Sequence, residues 1–403
     1  MSVSTGAKSG SLLGAILLIV GCCIGAGMLG LPVISALAGF KPSLLMFVVS
    51  WLFMTTTALL LLEVNIWFSA EVSIISMAGR TLGVGGKIVS WLCFLFLFYA
   101  LGVAYIAGSG QLIANFALEI ANLTIPNWVG SLIISLLFGL FVFLGTRAVD
   151  LFNRILMAGL VMTYLLLVVI GAPHVEAANL NYVNFSAAAF VLPVMIISFG
   201  FHNLIPSLST YLQWDVKRLR LAIICGSALA LSVYILWEWL ILGLVPVQSH
   251  TGIQQVLSEG EMATQFLKDA VGSSWVVNVV QYFAFFAIVT SFLGNSLSFV
   301  DFLADGLRVK KDCWNKLGLC VLVIAPPFIL SIIYPHIFLS ALNYAGAFGA
   351  VILFGILPAL MVWSGRYYKQ LKLNPLVPGG KWTLAAIICF AVGLMLLQFV
   401  DVL

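Results

Sequence analysis

The sequence predicts an all-α integral membrane protein with eleven membrane-crossing helices, and three observations carry that prediction. Of the 403 residues, 63% are hydrophobic and only 8% charged, against about 25% charged in a soluble globular chain. Apolar stretches of the length a helix needs to cross a hydrocarbon core, about 20 residues, recur along the whole sequence. The basic residues alternate from loop to loop between these stretches. Such a composition excludes a soluble enzyme, a nucleic-acid binder and a disordered chain. The alternation of a barrel strand is absent, so helices are the only way to satisfy the backbone in lipid.

Charged and Pro/Gly-rich breaks divide the chain into spans at 11–39, 43–67, 87–116, 128–146, 155–171, 187–212, 221–246, 276–301, 316–334, 337–363 and 383–400. The polar stretch before the first span has no small-residue cleavage site behind it. That span is therefore expected to persist as a helix rather than act as a signal peptide. The stretch 68–86 reads as a short surface helix between the second and third spans.

Orientation follows from the basic residues. With the N-terminus in the cytoplasm, all but Lys41 and Lys268 of the 18 Lys and Arg residues fall inside. An odd number of spans then places Leu403 in the periplasm. The long outer loop 247–275 carries Glu259, Glu261 and Asp269. None of the seven cysteines falls in an outer segment, so no structural disulfide is expected.

Nucleotide and metal chemistry find no support. The Gly-Lys pair in GVGGKI (83–88) has Thr81 and Ile88 where a phosphate-binding loop needs Gly and Ser/Thr. GxGxxG occurs as Gly25-Ala26-Gly27-Met28-Leu29-Gly30, but inside an apolar span with no preceding strand. The four histidines, His174, His202, His250 and His336, are scattered, and no metal-binding or catalytic cluster appears. No cofactor, nucleotide or nucleic acid is expected.

Two spans are interrupted. In the first, four glycines within Gly21–Gly30 and then Pro32 make a continuous helix unfavourable, at about 1 kcal/mol per Gly relative to Ala. The alternative, close packing of helices through small residues, favours GxxxG rather than GxG spacing. In the sixth, Pro193 and Pro206 bracket Ser198-Phe199-Gly200-Phe201-His202-Asn203. A His and an Asn at this depth are unfavourable unless they face a cavity or a partner. The first and sixth spans begin two halves of opposite topology, and matched interruptions in such halves point to a transporter's substrate site. A channel would instead show a ring of like charges or a repeated filter.

Peptide groups that lose helical partners can hold a zwitterion. Half-helix N-termini attract a carboxylate, and half-helix C-termini attract an ammonium. The N–H groups of Gly25, Ala26 and Gly27 are the candidates for a carboxylate; carbonyls near Cys22 and at Ser198 to Gly200 are those for an ammonium.

The stretches IGAGMLGLP (24–32), LLLLEV (59–64), VDLFNR (149–154), SFGFH with IPS (198–207), TSFLG (290–294), DFLAD (301–305) and NYAG (343–346) resemble the aromatic amino acid permeases of bacteria. The resemblance runs from the first span to the tenth. It implies the leucine-transporter type of fold: a 5+5 inverted repeat with broken helices 1 and 6, plus one extra C-terminal helix. The halves would be 1–171 and 187–363, with 383–403 as the accessory helix. It also implies proton-driven uptake across the bacterial inner membrane of an aromatic amino acid, tyrosine first, with tryptophan or phenylalanine as alternatives. Two departures from the family pattern flank the pocket. Cys22-Cys23 stand where hydroxyl residues are usual, and Asn203 stands where a glycine follows the histidine.

Further roles rest on side-chain chemistry. Gly102, Tyr105 and Ser109 share a face of span three; Gly102 leaves room for a planar ligand beside Tyr105, or the face is a small-residue seam. Phe199, Phe201 and Tyr344 are candidates to stack on an aromatic ring. His202 either bonds the polar group of the substrate ring, accepts the coupled proton, or caps freed carbonyls. Glu238, the one carboxylate near the middle of a span, is either a proton carrier or a neutral acid bonded to another helix. Thr290 and Ser291 are the hydroxyls that would serve sodium, the alternative coupling ion, as in sodium-driven relatives of the fold.

Overall fold

The computed structural model describes residues 10–68, 72–244, 274–310, 312–371 and 374–400. Lys8, most of the 247–275 loop with Glu259, Glu261, Lys268 and Asp269, and residues 401–403 lie outside them.

Every regular element among the described residues is helical. The first span is a bent pair, α1 (Leu12–Cys23) and α2 (Gly27–Ser35), which meet at 58°. It is followed by α3 (Phe40–Phe68), α4 (Ile74–Ala121), α5 (Asn127–Leu144) and α6 (Thr146–Gly171). The sixth span consists of two short helices, α7 (Leu192–Ser198) and α8 (Ile205–Tyr211), with an irregular segment and one 3-10 turn between them. The remaining spans are α9 (Val216–Leu244), α10 (Ser274–Leu307), α11 (Cys313–Ile333), α12 (Phe338–Tyr368) and α13 (Gly380–Val400). Counting the bent pair as one, up to eleven helices or helix pairs among the described residues are long and apolar enough to cross a membrane.

From Ile74 the stretch 68–86 holds a short helix that ends at Gly83 (φ 79°, ψ −162°), a non-helical kink beyond which span three continues as the rest of α4. One boundary differs from the sequence expectation. The fifth span begins at Thr146 rather than 155. Gly145, at φ 107°, turns the chain within one residue. The charges that suggested a loop sit on the exposed first turns of α6, where Arg154 pairs with Asp150 at 2.8 Å.

Interrupted helices leave carbonyls without donors, and in lipid such groups must find partners inside the protein. Pro32 has no N–H for Met28 O, and the Trp237 indole takes that carbonyl at 3.0 Å. Pro326 likewise frees Leu322 O, which accepts from the Tyr99 hydroxyl at 3.0 Å. In both cases a large aromatic donor from a neighbouring helix replaces the missing backbone donor. Helix ends facing water use shorter side chains: Ser11 accepts from Gly14 N–H and Asp312 from Asn315 N–H.

Candidate functional site

The two broken spans touch at their breaks. A Cβ on Gly27 would lie 2.9 Å from Ser198 Oγ and 3.6 Å from Ser198 Cα, so only glycine permits this approach. On the first span, Ile24 N–H still reaches Val20 O, while Ile24 itself is extended at ψ 103°. Gly25 N–H and Gly27 N–H find no acceptor among the described residues. Ala26 N–H donates to Ser291 Oγ at 2.9 Å, and a Cβ on Gly25 would strike that same hydroxyl. Ser291 thus brings α10 onto the break, where the Tyr105 hydroxyl also meets it from α4.

On the sixth span the helix ends at Ser198, whose hydroxyl returns to Val194 O at 2.8 Å. Gly200 N–H closes a tight turn onto Ile197 O, and Phe201 N–H bonds Phe199 O. Cys22 Sγ lies 4.0 Å from Gly200 O. Cys22 is exposed, whereas Cys23 is buried. Asn203 in the 3-10 turn, Ser207 and Thr210 on α8, and Gly294 and Ser298 on α10 are also exposed. On α2, by contrast, every residue from Met28 to Ser35 is buried. The breaks are therefore covered on the α2 side and accessible on the α1 and α8 side.

The structure brings Cys22, Cys23, Gly25, Ala26, Gly27, Tyr105, Ser198, Gly200 and Ser291 together around the breaks. Phe199 stands beside them, fully buried and edge-on to Tyr234 with centroids 5.1 Å apart. The other named residues are placed elsewhere. His202 is buried with its ring stacked on Phe354 at 4.8 Å and Nε2 3.0 Å from Thr57 Oγ1. The Thr57 hydroxyl also lies 3.1 Å from Met54 O. Nδ1 has no partner among the described residues. Phe201 packs beside that imidazole. Asn203 points to the accessible side, and Tyr344, 39% exposed, contacts Phe348. Gly102 faces α11, where a Cβ would lie 3.2 Å from Pro327 Cγ, so the glycine serves the seam between these helices. The Thr290 hydroxyl donates back to Phe286 O and Ala287 O.

Glu238 is buried beneath α2. One oxygen accepts from Ser35 Oγ at 3.2 Å and the other has no partner among the described residues. Sequence reasoning missed Tyr234 and Trp237, which lie one helical turn apart on α9. The Tyr234 hydroxyl reaches Cys23 O at 2.5 Å and Ser198 O at 2.7 Å. The available signal was the row Tyr234, Trp237, Glu238 at helical spacing, three polar-tipped side chains on one face of an apolar span.

Two discontinuous helices facing each other across a bundle are the arrangement of a multi-pass transport protein of the leucine-transporter fold. The chain shares its fold with MhsT, crystallised in complex with L-phenylalanine, at a TM-score of 0.67 and 14% identity over 99% of this chain and 100% of that one. A manganese transporter of Eremococcus coleocola superposes with a TM-score of 0.63 at 16% identity, over 100% of this chain and 88% of that one. The chain belongs to the tryptophan/tyrosine permease family, whose profile matches residues 8–398. It is 32% identical to tyrosine-specific transport system 1 of Haemophilus influenzae, over 94% of each chain. It is also 32% identical to the tryptophan-specific transport protein of the same organism, over 96% of this chain and 94% of that one.

Proposed function

We propose that the protein is a secondary symporter that imports an aromatic amino acid, tyrosine first, by alternating access driven by the proton gradient. The observation that carries this reading is the convergence of three helix ends at the Gly27–Ser198 contact. The N-terminus of α2 presents bare N–H groups, and the C-termini of α1 and α7 present carbonyls, so one small site attracts a carboxylate and an ammonium together. Relatives named for tyrosine and for tryptophan transport stand equally close at 32% identity. Both ligands therefore belong in the test, with phenylalanine as third.

We read Gly25, Ala26 and Gly27 as the carboxylate cradle, the carbonyls around Cys22 and Ser198 to Gly200 as the ammonium side, and Tyr105 and Phe199 as neighbours of the ring. The halves 1–171 and 187–363 act as the inverted repeats, with 383–403 as an accessory helix. The N-terminus lies in the cytoplasm of a bacterial inner membrane and the C-terminus in the periplasm, as the basic residues support.

Glu238 is our choice of proton carrier ahead of His202. An isolated carboxylate is unfavourable to bury, no cation faces it among the described residues, and a proton removes the cost. The His202 ring, by contrast, is committed to Thr57 and Phe354. Sodium is the second reading, supported by the hydroxyl pair Thr290 and Ser291. Against it, the Thr290 hydroxyl is bonded within its own helix and Ser291 is engaged by Ala26.

Purified protein in liposomes, given labelled tyrosine or tryptophan, tests the reading. Saturable accumulation that needs an inward proton gradient and collapses with a protonophore supports it. Accumulation that follows a sodium gradient alone selects the second reading. Equilibration without any gradient dependence refutes symport.

A further inference from the structure

We infer that Tyr234 is a positioning residue for substrate binding: its one hydroxyl ties the two unwound segments together and thereby aims their free carbonyls at the substrate's ammonium group. The inference rests on the reading above that the breaks hold an amino acid.

The carbonyls of Cys23 and Ser198 belong to the last residues of α1 and α7. In unbroken helices they would accept from the N–H groups of Gly27 and His202, four residues on. Both interruptions remove those donors. Two helix C-termini also carry partial negative charge and repel each other when brought together. A single proton donor from a third helix sits between them, at 2.5 Å from Cys23 O and 2.7 Å from Ser198 O. The Tyr234 ring is fully buried. Phe199 packs edge-on at 5.1 Å and Phe47 tilts against it at 6.1 Å, so the hydroxyl is held in place.

The consequence is selective. Tyr234 occupies the carbonyls that close each helix, while neighbouring ones stay bare. Gly25 N–H does not return to Gly21 O, and Ala26 N–H is given to Ser291 instead of Cys22 O. Gly21 O and Cys22 O therefore lack their helical donors and lie beside the fastened Cys23, on the side where Cys22 is exposed. An ammonium group supplies three donors and no acceptor, which is the complement of such a set. Trp237 holds Met28 O one turn further along α9, so the same helix anchors α1, α2 and α7 around this point.

The test measures displacement of labelled tyrosine from purified protein by unlabelled tyrosine and by 3-(4-hydroxyphenyl)propanoate, which is tyrosine without its amino group. A parallel series uses tryptophan and indole-3-propanoate. In the wild type the amino acid should compete about 100-fold better than the analogue, because the bare carbonyls discriminate for the ammonium. In Tyr234→Phe that ratio should fall below about 10, while the analogue's own affinity moves by less than about threefold. Equal weakening of both ligands, or an unchanged ratio, overturns the inference. Wild-type protein that binds neither amino acid overturns the permease reading itself, a different readout from a changed ratio. Should Tyr234→Phe not fold, Phe47→Leu loosens the packing on the ring without touching the breaks. It should lower the ratio by about threefold, and an unchanged ratio there overturns the inference as well.

Discussion

Gly27 on the first broken span and Ser198 on the sixth are in van der Waals contact, close enough that a Cβ on the glycine would lie 2.9 Å from the serine hydroxyl. Overpacking of this kind costs about 1–3 kcal/mol. Gly27→Ala is therefore expected to lower uptake about tenfold, and Gly27→Leu to abolish it while the protein still inserts. Vesicle uptake, paired with quantification of protein in the membrane fraction, checks both. Normal uptake by Gly27→Leu would remove the breaks from the transport site.

Ser291 makes an opposite prediction. Its hydroxyl already holds Ala26 N–H at 2.9 Å, so a substrate carboxylate must displace it to use that donor. Ser291→Ala leaves the donor unpaired in the empty protein, a loss of about 1 kcal/mol. Binding should accordingly tighten about fivefold. A direct binding measurement reads this. Weaker binding would instead make Ser291 a ligand of the substrate or of the coupling ion.

Glu238→Gln separates binding from coupling. The amide keeps the contact to Ser35 but carries no exchangeable charge. Substrate counterflow, which needs no net proton movement, should stay within about threefold of the wild type, whereas accumulation driven by a pH gradient should disappear. Proteoliposomes measured in the two modes distinguish these outcomes. Retained accumulation would release Glu238 from the proton path.

Glu63 and Arg366 form a buried ion pair with two bonds of 2.7 Å, and Glu63 also accepts from Leu376 N–H at 2.9 Å. The pair joins α3 to the end of α12 and to the segment leading into α13. Removing one partner of such a pair costs about 3–5 kcal/mol. Glu63→Gln should therefore lower the unfolding temperature in detergent. Glu63→Leu combined with Arg366→Leu should recover part of that loss, because no uncompensated charge remains. Additive single effects would contradict the coupling.

Much of this architecture is legible in local sequence. The number of spans follows from apolar length, and the two breaks follow from Gly25, Gly27, Pro32, Pro193 and Pro206, because helix propensity and the missing proline N–H act within one turn. Boundaries were less legible where charge was taken for loop. Arg147, Asp150 and Arg154 ride on exposed helical turns of α6, since a helix leaving the membrane keeps its backbone bonds whatever its side chains carry.

Which groups face the breaks was decided only in three dimensions. His202 and Tyr344 have the right chemistry for an aromatic ligand, yet His202 packs into Thr57 and Phe354, and Tyr344 lies against Phe348. Tyr234 stands in a polar row with Trp237 and Glu238, but the carbonyls its hydroxyl meets lie 211 and 36 residues away in sequence, at Cys23 and Ser198. By itself the sequence determined that the chain belongs in lipid, carries up to eleven candidate membrane spans among the described residues and breaks in the first and sixth. Tertiary structure alone decided which side chains answer the freed carbonyls, because a donor's partner depends on how helices distant in the chain pack.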